Sequence, residues 1–242
     1  ALRPLLEALT GTDVALRTRA LEVIRATHPP GAVPALTRTL LSQSAVTRLT
    51  IASALGAIGT ASAVEALRRL YDDATGHGQR VAIWALGLAR APKALETLSE
   101  IAGSRHPHHR ILAAWAMGAR ADLRSIPALK KLARSADVRQ RIAAIWALGQ
   151  TPSPAIERTL ARALNSIDPL ERQLASRGLN GVGTVAAQRQ LIAGLWRGDG
   201  RPTGHLGAAL TSDRLPRPIA QISSAYGAMI DEERGRLNDD KG

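Results

Sequence analysis

The sequence contains no cysteine and no phenylalanine, and its aromatic side chains are four tryptophans and two tyrosines. The absence of cysteine excludes disulfide bonds, thiolate nucleophiles and cysteine-ligated metals. Because aromatic residues make up only 2% of the chain, the apolar material is almost entirely Leu, Ala, Ile and Val. This composition favours close-packed helices over a β-sandwich.

Long apolar runs are also absent. No stretch of about 18 apolar residues occurs. The sequence also lacks the pattern of a signal peptide, in which a positively charged region is followed by an apolar region and then by small residues. A helical pattern of leucines starts directly after Ala1, which indicates a fragment or a processed chain. We expect a protein without a transmembrane segment that works in the cytoplasm, alone or as a soluble domain of a larger protein.

Lysine is scarce, with four residues against 28 arginines, and the net charge is +12. Residues 1–100 carry a net charge of +3, residues 101–217 one of +11 and residues 218–242 one of −2. The excess in the second half is compatible with an acidic protein segment, nucleic acid or anionic lipid as partner. A solvated arginine-rich surface without a binding role is the alternative.

A 31-residue period organises the chain. A leucine recurs at Leu5, Leu36, Leu67, Leu98, Leu129, Leu160 and Leu191. A second apolar column contains Ile24, Leu55, Leu86, Met117, Leu148, Leu179 and Leu210. Each period therefore contributes two apolar helical stretches, and we predict two antiparallel helices per unit.

Other columns predict where the second helices begin and end. Residues suited to an N-cap recur at Asp13, Ser44, Thr75, Asp137 and Asp168, and His106 occupies the sixth position of this column. Four positions later stand Arg17, Arg48, Gln79, Arg110, Arg141 and Arg172. Gly56, Gly87, Gly118, Gly149 and Asn180 follow the second apolar column and are predicted to cap the helix ends.

The predicted fold is all-α, an α-solenoid of about six to seven two-helix repeats, because no single pair can bury its apolar stripe alone. The repeats occupy residues 1–211, with units ending near residues 25, 56, 87, 118, 149, 180 and 211. Residues 212–242 are predicted to form a proline-containing turn and a C-terminal capping helix.

The segments from Arg110 to Gly118 and from Arg141 to Gly149 resemble short HEAT repeats of the phycobilin-lyase type. This resemblance implies an α-solenoid of the kind that serves as an interaction module. In HEAT repeats of this pattern, the residue at the position of Trp115 and Trp146 is often charged. This implies that the position lies at or near the concave surface. The likeness supports the fold more than any activity.

Trp84, Trp115 and Trp146 stand 31 residues apart in the second helices of units three to five. We expect them to form a ladder that anchors an extended partner; packing between the repeats is the alternative interpretation. Arginines predicted to line the same surface are Arg80, Arg110, Arg141 and Arg177. In units three to six we expect the tryptophan ladder and the basic excess to overlap.

The histidines His77, His106, His108 and His109 are predicted to lie in neighbouring loops. They could bind a transition metal, but solvated loop histidines are the preferred interpretation and no metal is predicted. No P-loop, Gly-x-Ser-x-Gly or His-Glu-x-x-His motif occurs. Iron hydroxylases of the deoxyhypusine class require His-Glu dipeptides, and no histidine here precedes a glutamate.

These observations predict a non-catalytic scaffold that binds a protein partner with an acidic or extended segment, without a cofactor. The first alternative is a nucleic-acid-binding module that resembles the HEAT-like DNA glycosylases, although their groove aspartate has no counterpart in the regular columns. The second is a lyase or chaperone-like subunit, which the phycobilin-lyase resemblance implies.

Overall fold

The computed structural model describes residues 2–40 and 45–195, and in these ranges the chain forms helices and no strand. The α-helices are α1 (Leu2–Thr10), α2 (Val14–Thr27), α3 (Ala32–Leu40), α4 (Ala45–Ile58), α5 (Ala61–Asp73), α6 (His77–Leu88), α7 (Pro92–Ala102), α8 (Pro107–Arg120), α9 (Ile126–Leu132), α10 (Val138–Gly149), α11 (Glu157–Ala163), α12 (Pro169–Val182) and α13 (Val185–Leu195). Short 3₁₀ turns, Leu123–Ser125 and Pro154–Ile156, stand directly before α9 and α11. The predicted C-terminal helix lies outside the described residues.

Odd-numbered helices are the first helices of the units and even-numbered helices are the second. Each second helix packs against its own first helix and against the second helices of the adjacent units. The predicted all-α stack of helix pairs is therefore confirmed. None of the helices in the described ranges is long and apolar enough to cross a membrane.

The two apolar columns form the core. In the first helices α3 to α11, the side chains with no exposed surface include Leu36, Leu67, Leu98, Leu129 and Leu160. In the second helices α2 to α12, the corresponding buried side chains are Ile24, Leu55, Leu86, Met117, Leu148 and Leu179. Because the same two positions are filled in units two to six, the core continues from one helix pair to the next through these units.

Three of the predicted N-caps are confirmed. The side chains of Asp13, Asp137 and Asp168 accept hydrogen bonds from backbone amides in the first turns of α2, α10 and α12. The prediction is wrong for Thr75, because Gly76 precedes α6 and shifts its start. His106 occupies the N-cap position of α8 without a side-chain cap bond, and Ser44 lies outside the described residues.

The glycine column does not cap the second helices, contrary to the prediction. Gly56, Gly87 and Gly118 lie inside α4, α6 and α8, Asn180 lies inside α12, and Gly149 is the last residue of α10. None of these residues has a positive φ. The recurrence of glycine in this column must therefore have a physical reason other than backbone conformation.

That reason is the close approach of neighbouring second helices. A Cβ on Gly56 would lie 2.5 Å from the carbonyl oxygen of Ala85, and one on Gly118 would lie 2.8 Å from the Cα of Ala147. A Cβ on Gly149 would lie 3.3 Å from the Cα of Gly178. The glycines thus permit the tight spacing of the second-helix layer.

The left-handed residues that do end second helices form a different column, three residues later. They are His28 (φ 44°), Gly59 (φ 62°), Ala121 (φ 51°) and Gly183 (φ 69°). The amides of these residues donate to carbonyl oxygens of the last helical turns. Only two of the four are glycines, which is why the sequence pattern does not reveal this column.

Candidate binding surface on the second helices

The three tryptophans lie on neighbouring second helices, Trp84 on α6, Trp115 on α8 and Trp146 on α10. Each is half-buried and packs against the core. The rings of Trp115 and Trp146 are in contact, with 4.4 Å between their centroids and an angle of 48° between their planes. These two rings therefore form a continuous apolar strip that bridges α8 and α10.

Packing accounts for one side of these rings. A Cβ on Gly118 would lie 2.5 Å from Cζ3 of Trp146, so the indole occupies the space that a side chain on α8 would fill. The Nε1 of Trp115 is buried and has no hydrogen-bond partner among the described residues. The tryptophans therefore take part in packing and are also partly exposed, and their role as anchors for a partner stays a prediction.

We use the name Trp surface for the solvent-facing stripe of four second helices, whose members are three or four residues apart and so share a face. It consists of Arg80, Trp84 and Leu88 on α6, Ile111, Trp115 and Ala119 on α8, Arg139, Ile142, Trp146 and Gln150 on α10, and Gln173, Arg177 and Gly181 on α12. All are exposed or half-buried. None of these positions carries a carboxylate.

Two of the predicted binding arginines, Arg110 and Arg141, are held by the turns that precede their own helices. Arg110 donates from Nε to the carbonyl oxygen of Ser104, and Arg141 donates from Nη1 to the carbonyl oxygens of Ser135 and Ala136 at 3.0 and 2.9 Å. These bonds satisfy carbonyl groups that the turn leaves without helical partners. The arginine column is therefore primarily a structural feature.

The same two arginines also reach the next unit. Arg110 Nη1 donates to Oε1 of Gln140 at 3.4 Å, and Arg141 Nε donates to Oε1 of Glu171 at 2.6 Å. The side chains of Gln140 and Glu171 are buried. We call these four residues the polar seam, because they link units four, five and six along the stack.

Gln140 and Glu171 are not predicted as partners of the arginines from the sequence. The available signal was the column directly before the arginines, in which polar residues stand at a helix position that faces the core. Its polar members Thr47, His109, Gln140 and Glu171 are buried, whereas units one and three have the exposed Leu16 and the buried Gly78 at this position.

The other predicted binding residues lie together. Arg80 is exposed on α6, and Arg177 is half-buried on α12, where it continues the tryptophan column. The structure thus brings Trp84, Trp115, Trp146, Arg80 and Arg177 to one surface and places Arg110 and Arg141 in the polar seam. The role of all seven residues in binding remains a prediction.

Comparison with known proteins identifies the repeat. A family model described as HEAT repeats matches residues 2–78 and 72–143. The chain belongs to the HEAT-repeat family. The predicted resemblance to HEAT repeats is thereby confirmed, and the helix pairs are called HEAT units below.

Solved structures with similar folds include the complex of CpcE and CpcF of phycocyanin lyase from Nostoc sp. PCC7120, at 20% identity, covering 87% of this chain and 93% of that one, with a TM-score of 0.44. Human deoxyhypusine hydroxylase is 18% identical, with coverage of 86% and 94% and a TM-score of 0.39. An engineered protein is 24% identical, with coverage of 75% and 96% and a TM-score of 0.47. No curated protein matches the chain.

Among the described residues, the basic excess overlaps with the Trp surface only in part, at Arg139 and Arg177. Most of the exposed cations of HEAT units five to seven stand on or directly after first helices, at Lys131, Arg134, Arg158, Arg162 and Arg189. The two helices of a unit are antiparallel neighbours whose exposed stripes face different directions. Proximity in sequence therefore did not predict proximity on the surface.

One histidine is part of the core. His109 is buried on α8, and its Nδ1 is 3.1 Å from the hydroxyl oxygen of Tyr71. Burial lowers the pKa of His109, and the nearby His106, His108 and Arg80 lower it further. The described residues contain no group of three or more histidines and carboxylates placed to hold a metal ion.

Proposed function

We propose that this HEAT-repeat protein is a non-catalytic scaffold that holds an extended segment of a partner protein on the Trp surface. The observation that carries the proposal is the strip of half-exposed apolar side chains that continues over HEAT units three to five. Trp84, Trp115 and Trp146 follow one line, and Ile111 and Ile142 lie one turn away on the same face. Such contiguous apolar area mixed with arginine is typical of protein interfaces.

The charges of the Trp surface support a partner with acidic residues. Arg80 and Arg139 are exposed beside the strip, and Arg177 follows it on α12. Arg139 is bound to Asp137 at 3.4 Å, but its side chain remains 62% exposed. Since the surface positions themselves carry no carboxylate, an acidic segment gains attraction without repulsion.

The tight second-helix layer supports an extended partner. The second helices approach each other more closely than the first helices do, and the closer layer of such a stack forms its concave side. Packed helix axes about 8–10 Å apart match roughly three residues of an extended chain. A segment that runs across the helices can therefore place a side chain on each unit. Aromatic or aliphatic residues would contact the tryptophans, and acidic residues would contact the arginines.

A displayed library of random 12-residue peptides, selected on the purified protein, tests this function. We expect enriched peptides to combine aromatic or aliphatic residues with Asp or Glu. In fluorescence anisotropy, the double variant Arg80→Glu/Arg177→Glu should bind the selected peptides about tenfold more weakly, a loss of roughly 1.4 kcal/mol.

The matched control is Arg158→Glu/Arg189→Glu, which makes the same charge change on first helices. This control should bind the selected peptides with nearly wild-type affinity. If no peptide is enriched, or if both double variants lose affinity equally, the Trp surface is not the binding site.

A further inference from the structure

Six cations form a second surface on the first-helix layer of HEAT units five to seven. We call it the basic face, and it consists of Lys130, Lys131, Arg134, Arg158, Arg162 and Arg189. Five are exposed and Lys130 is half-buried. Within the described residues, none of these six side chains makes a hydrogen bond or an ion pair.

The same layer is internally neutralised in HEAT units three and four. Arg68 pairs with Glu100, and Arg69 and Lys93 lie 3.7 and 3.9 Å from carboxylate oxygens of Glu65. The cations named here on the first-helix layer of units three and four thus have acidic partners. The cations of the basic face make no ion pair within the described residues.

Units three and four differ from units five to seven in the sign of the side-chain charge at equivalent positions of the repeat. One repeat position has Glu65 and Glu96 in units three and four, and Arg158 and Arg189 in units six and seven. Another has Glu100 in unit four, and Lys131 and Arg162 in units five and six. Unit three already has Arg69 at the second position and unit five has Pro127 at the first, so among units three to seven the acidic residues at these two positions are confined to units three and four.

Three carboxylates close in sequence to the basic face already have hydrogen-bond partners, and one of them, Asp137, bonds to Arg139. Glu157 at the start of α11 accepts a hydrogen bond from the hydroxyl of Thr184. Asp122 accepts from Arg124 at 2.6 Å, and this bonding lowers the pKa of Asp122 to about 2. The bond from Thr184 leaves Glu157 charged, but one carboxylate against six cations leaves the basic face net positive, and the remaining charge is neutralised by a bound anion or by solvent ions.

We propose that the basic face binds the phosphate backbone of a nucleic-acid duplex. Cations one turn apart on one helix are about 6 Å from each other, and cations recur on or directly after three successive first helices, so they form a grid over α9, α11 and α13. A duplex carries one negative charge per about 1.7 Å, enough to meet every member of the grid. Four of the six cations are arginines, whose planar guanidinium groups suit phosphate oxygens.

Two features favour a duplex over other anions. No aromatic side chain stands on α9, α11 or α13 within the described residues, whereas single-strand sites stack bases on aromatic rings. A fixed grid of cations matches a fixed phosphate array, while lipid headgroups move laterally and do not require one. The basic face lies on the layer opposite the Trp surface, so this inference is independent of the proposed function.

The test is fluorescence anisotropy with a labelled 20-base-pair DNA duplex and the full chain, between 50 and 200 mM NaCl. Six phosphate contacts predict that the logarithm of the association constant falls with the logarithm of salt with a slope of about −5. The triple variant Lys131→Gln/Arg158→Gln/Arg162→Gln should bind at least about tenfold more weakly at 50 mM NaCl and have a slope smaller by about 3.

The matched control is Arg68→Gln/Arg69→Gln/Lys93→Gln, which removes the same charge from the same layer. This control should retain duplex affinity within about twofold. The proposal is overturned if both triple variants weaken binding equally, because net charge alone would then explain it. It is also overturned if the chain binds phosphatidylserine vesicles, polyglutamate or single-stranded DNA more tightly than the duplex.

Discussion

At the scale of single residues, the same glycine pattern had two possible physical causes. A glycine after an apolar helical stretch predicts a left-handed cap, and the pattern at Gly56, Gly87 and Gly118 is typical of one. These residues are helical instead, and their missing side chains let neighbouring second helices approach. A sequence pattern cannot separate these causes, because both require the absence of a Cβ.

Gly118→Ala tests the close-approach explanation. Alanine normally stabilises a helix by about 1 kcal/mol relative to glycine. At Gly118 the added Cβ would lie 2.5 Å from Trp146 and 2.8 Å from the backbone of Ala147. We expect a net loss of roughly 1–3 kcal/mol in the free energy of unfolding, measured by urea denaturation.

The matched substitution is Gly181→Ala on α12. There the nearest atom to a new Cβ is the Cγ of Pro152 at 4.0 Å, an ordinary contact. This variant should be as stable as the wild type or more stable. Equal stabilisation by both substitutions would show that space at Gly118 is not limiting.

At the scale of helices, the polar seam gives the arginine column its role. Each arginine of the seam bonds to the turn before its own helix and to a buried side chain of the next unit. The seam differs between junctions, with Arg110 and Gln140 at one and Arg141 and Glu171 at the next. Buried polar contacts of this kind favour one order and register of packing over others.

Arg141→Met should destabilise the chain, because it leaves the carboxylate of Glu171 buried without a cation. We expect a loss of about 2 kcal/mol in urea denaturation, below the range for fully buried pairs because the Arg141 side chain is 27% exposed. Adding Glu171→Gln should restore part of the loss, since a neutral amide costs less to bury.

Arg139→Met is the control for this cycle, because Arg139 forms an exposed ion pair with Asp137. Its effect should stay below about 1 kcal/mol. If Glu171→Gln fails to compensate for Arg141→Met, the two side chains are not energetically coupled.

At the scale of the whole molecule, stability should depend on pH through a group inside the stack. The pKa of His109 lies below its ordinary value of 6.5, mainly because burial disfavours the charged ring. The unfolded chain therefore takes up a proton first as the pH falls. The contribution of His109 is fully present above about pH 6.5 and is lost as the pH falls through the folded-state pKa.

We expect the melting temperature to fall between pH 7.5 and pH 5, and to fall less in His109→Gln. Glutamine occupies the equivalent position 140 and can still bond to Tyr71. All the charged or titratable groups that act on His109 (Tyr71 from α5, Arg80 from α6, His106 and His108 from α8) stay in place.

His28→Asn is the control for this pH dependence. His28 is exposed and left-handed at the end of α2, a conformation that asparagine tolerates. The control should follow the wild-type pH profile. A profile that is the same for His109→Gln as for the wild type would exclude His109 as the source.

The sequence by itself determined the repeat and the core. A leucine at each 31st residue can be buried in every unit only if identical helix pairs stack, so Leu67, Leu98 and Leu129 predict the fold without any long-range information. The caps at Asp13 and Asp137 also follow from the sequence, because they depend on bonds to amides two or three residues away.

Only the tertiary structure decided which side chains meet. The contact of Trp115 with Trp146, the bond from Arg141 to Glu171 and the separation of the basic face from the Trp surface all depend on distances between helices. Such distances are set by the packing of many residues at once, and they cannot be predicted from the periodicity of the sequence. The candidate surfaces of this protein were therefore only partly predictable, whereas the helical-repeat architecture of the described residues was predictable in outline.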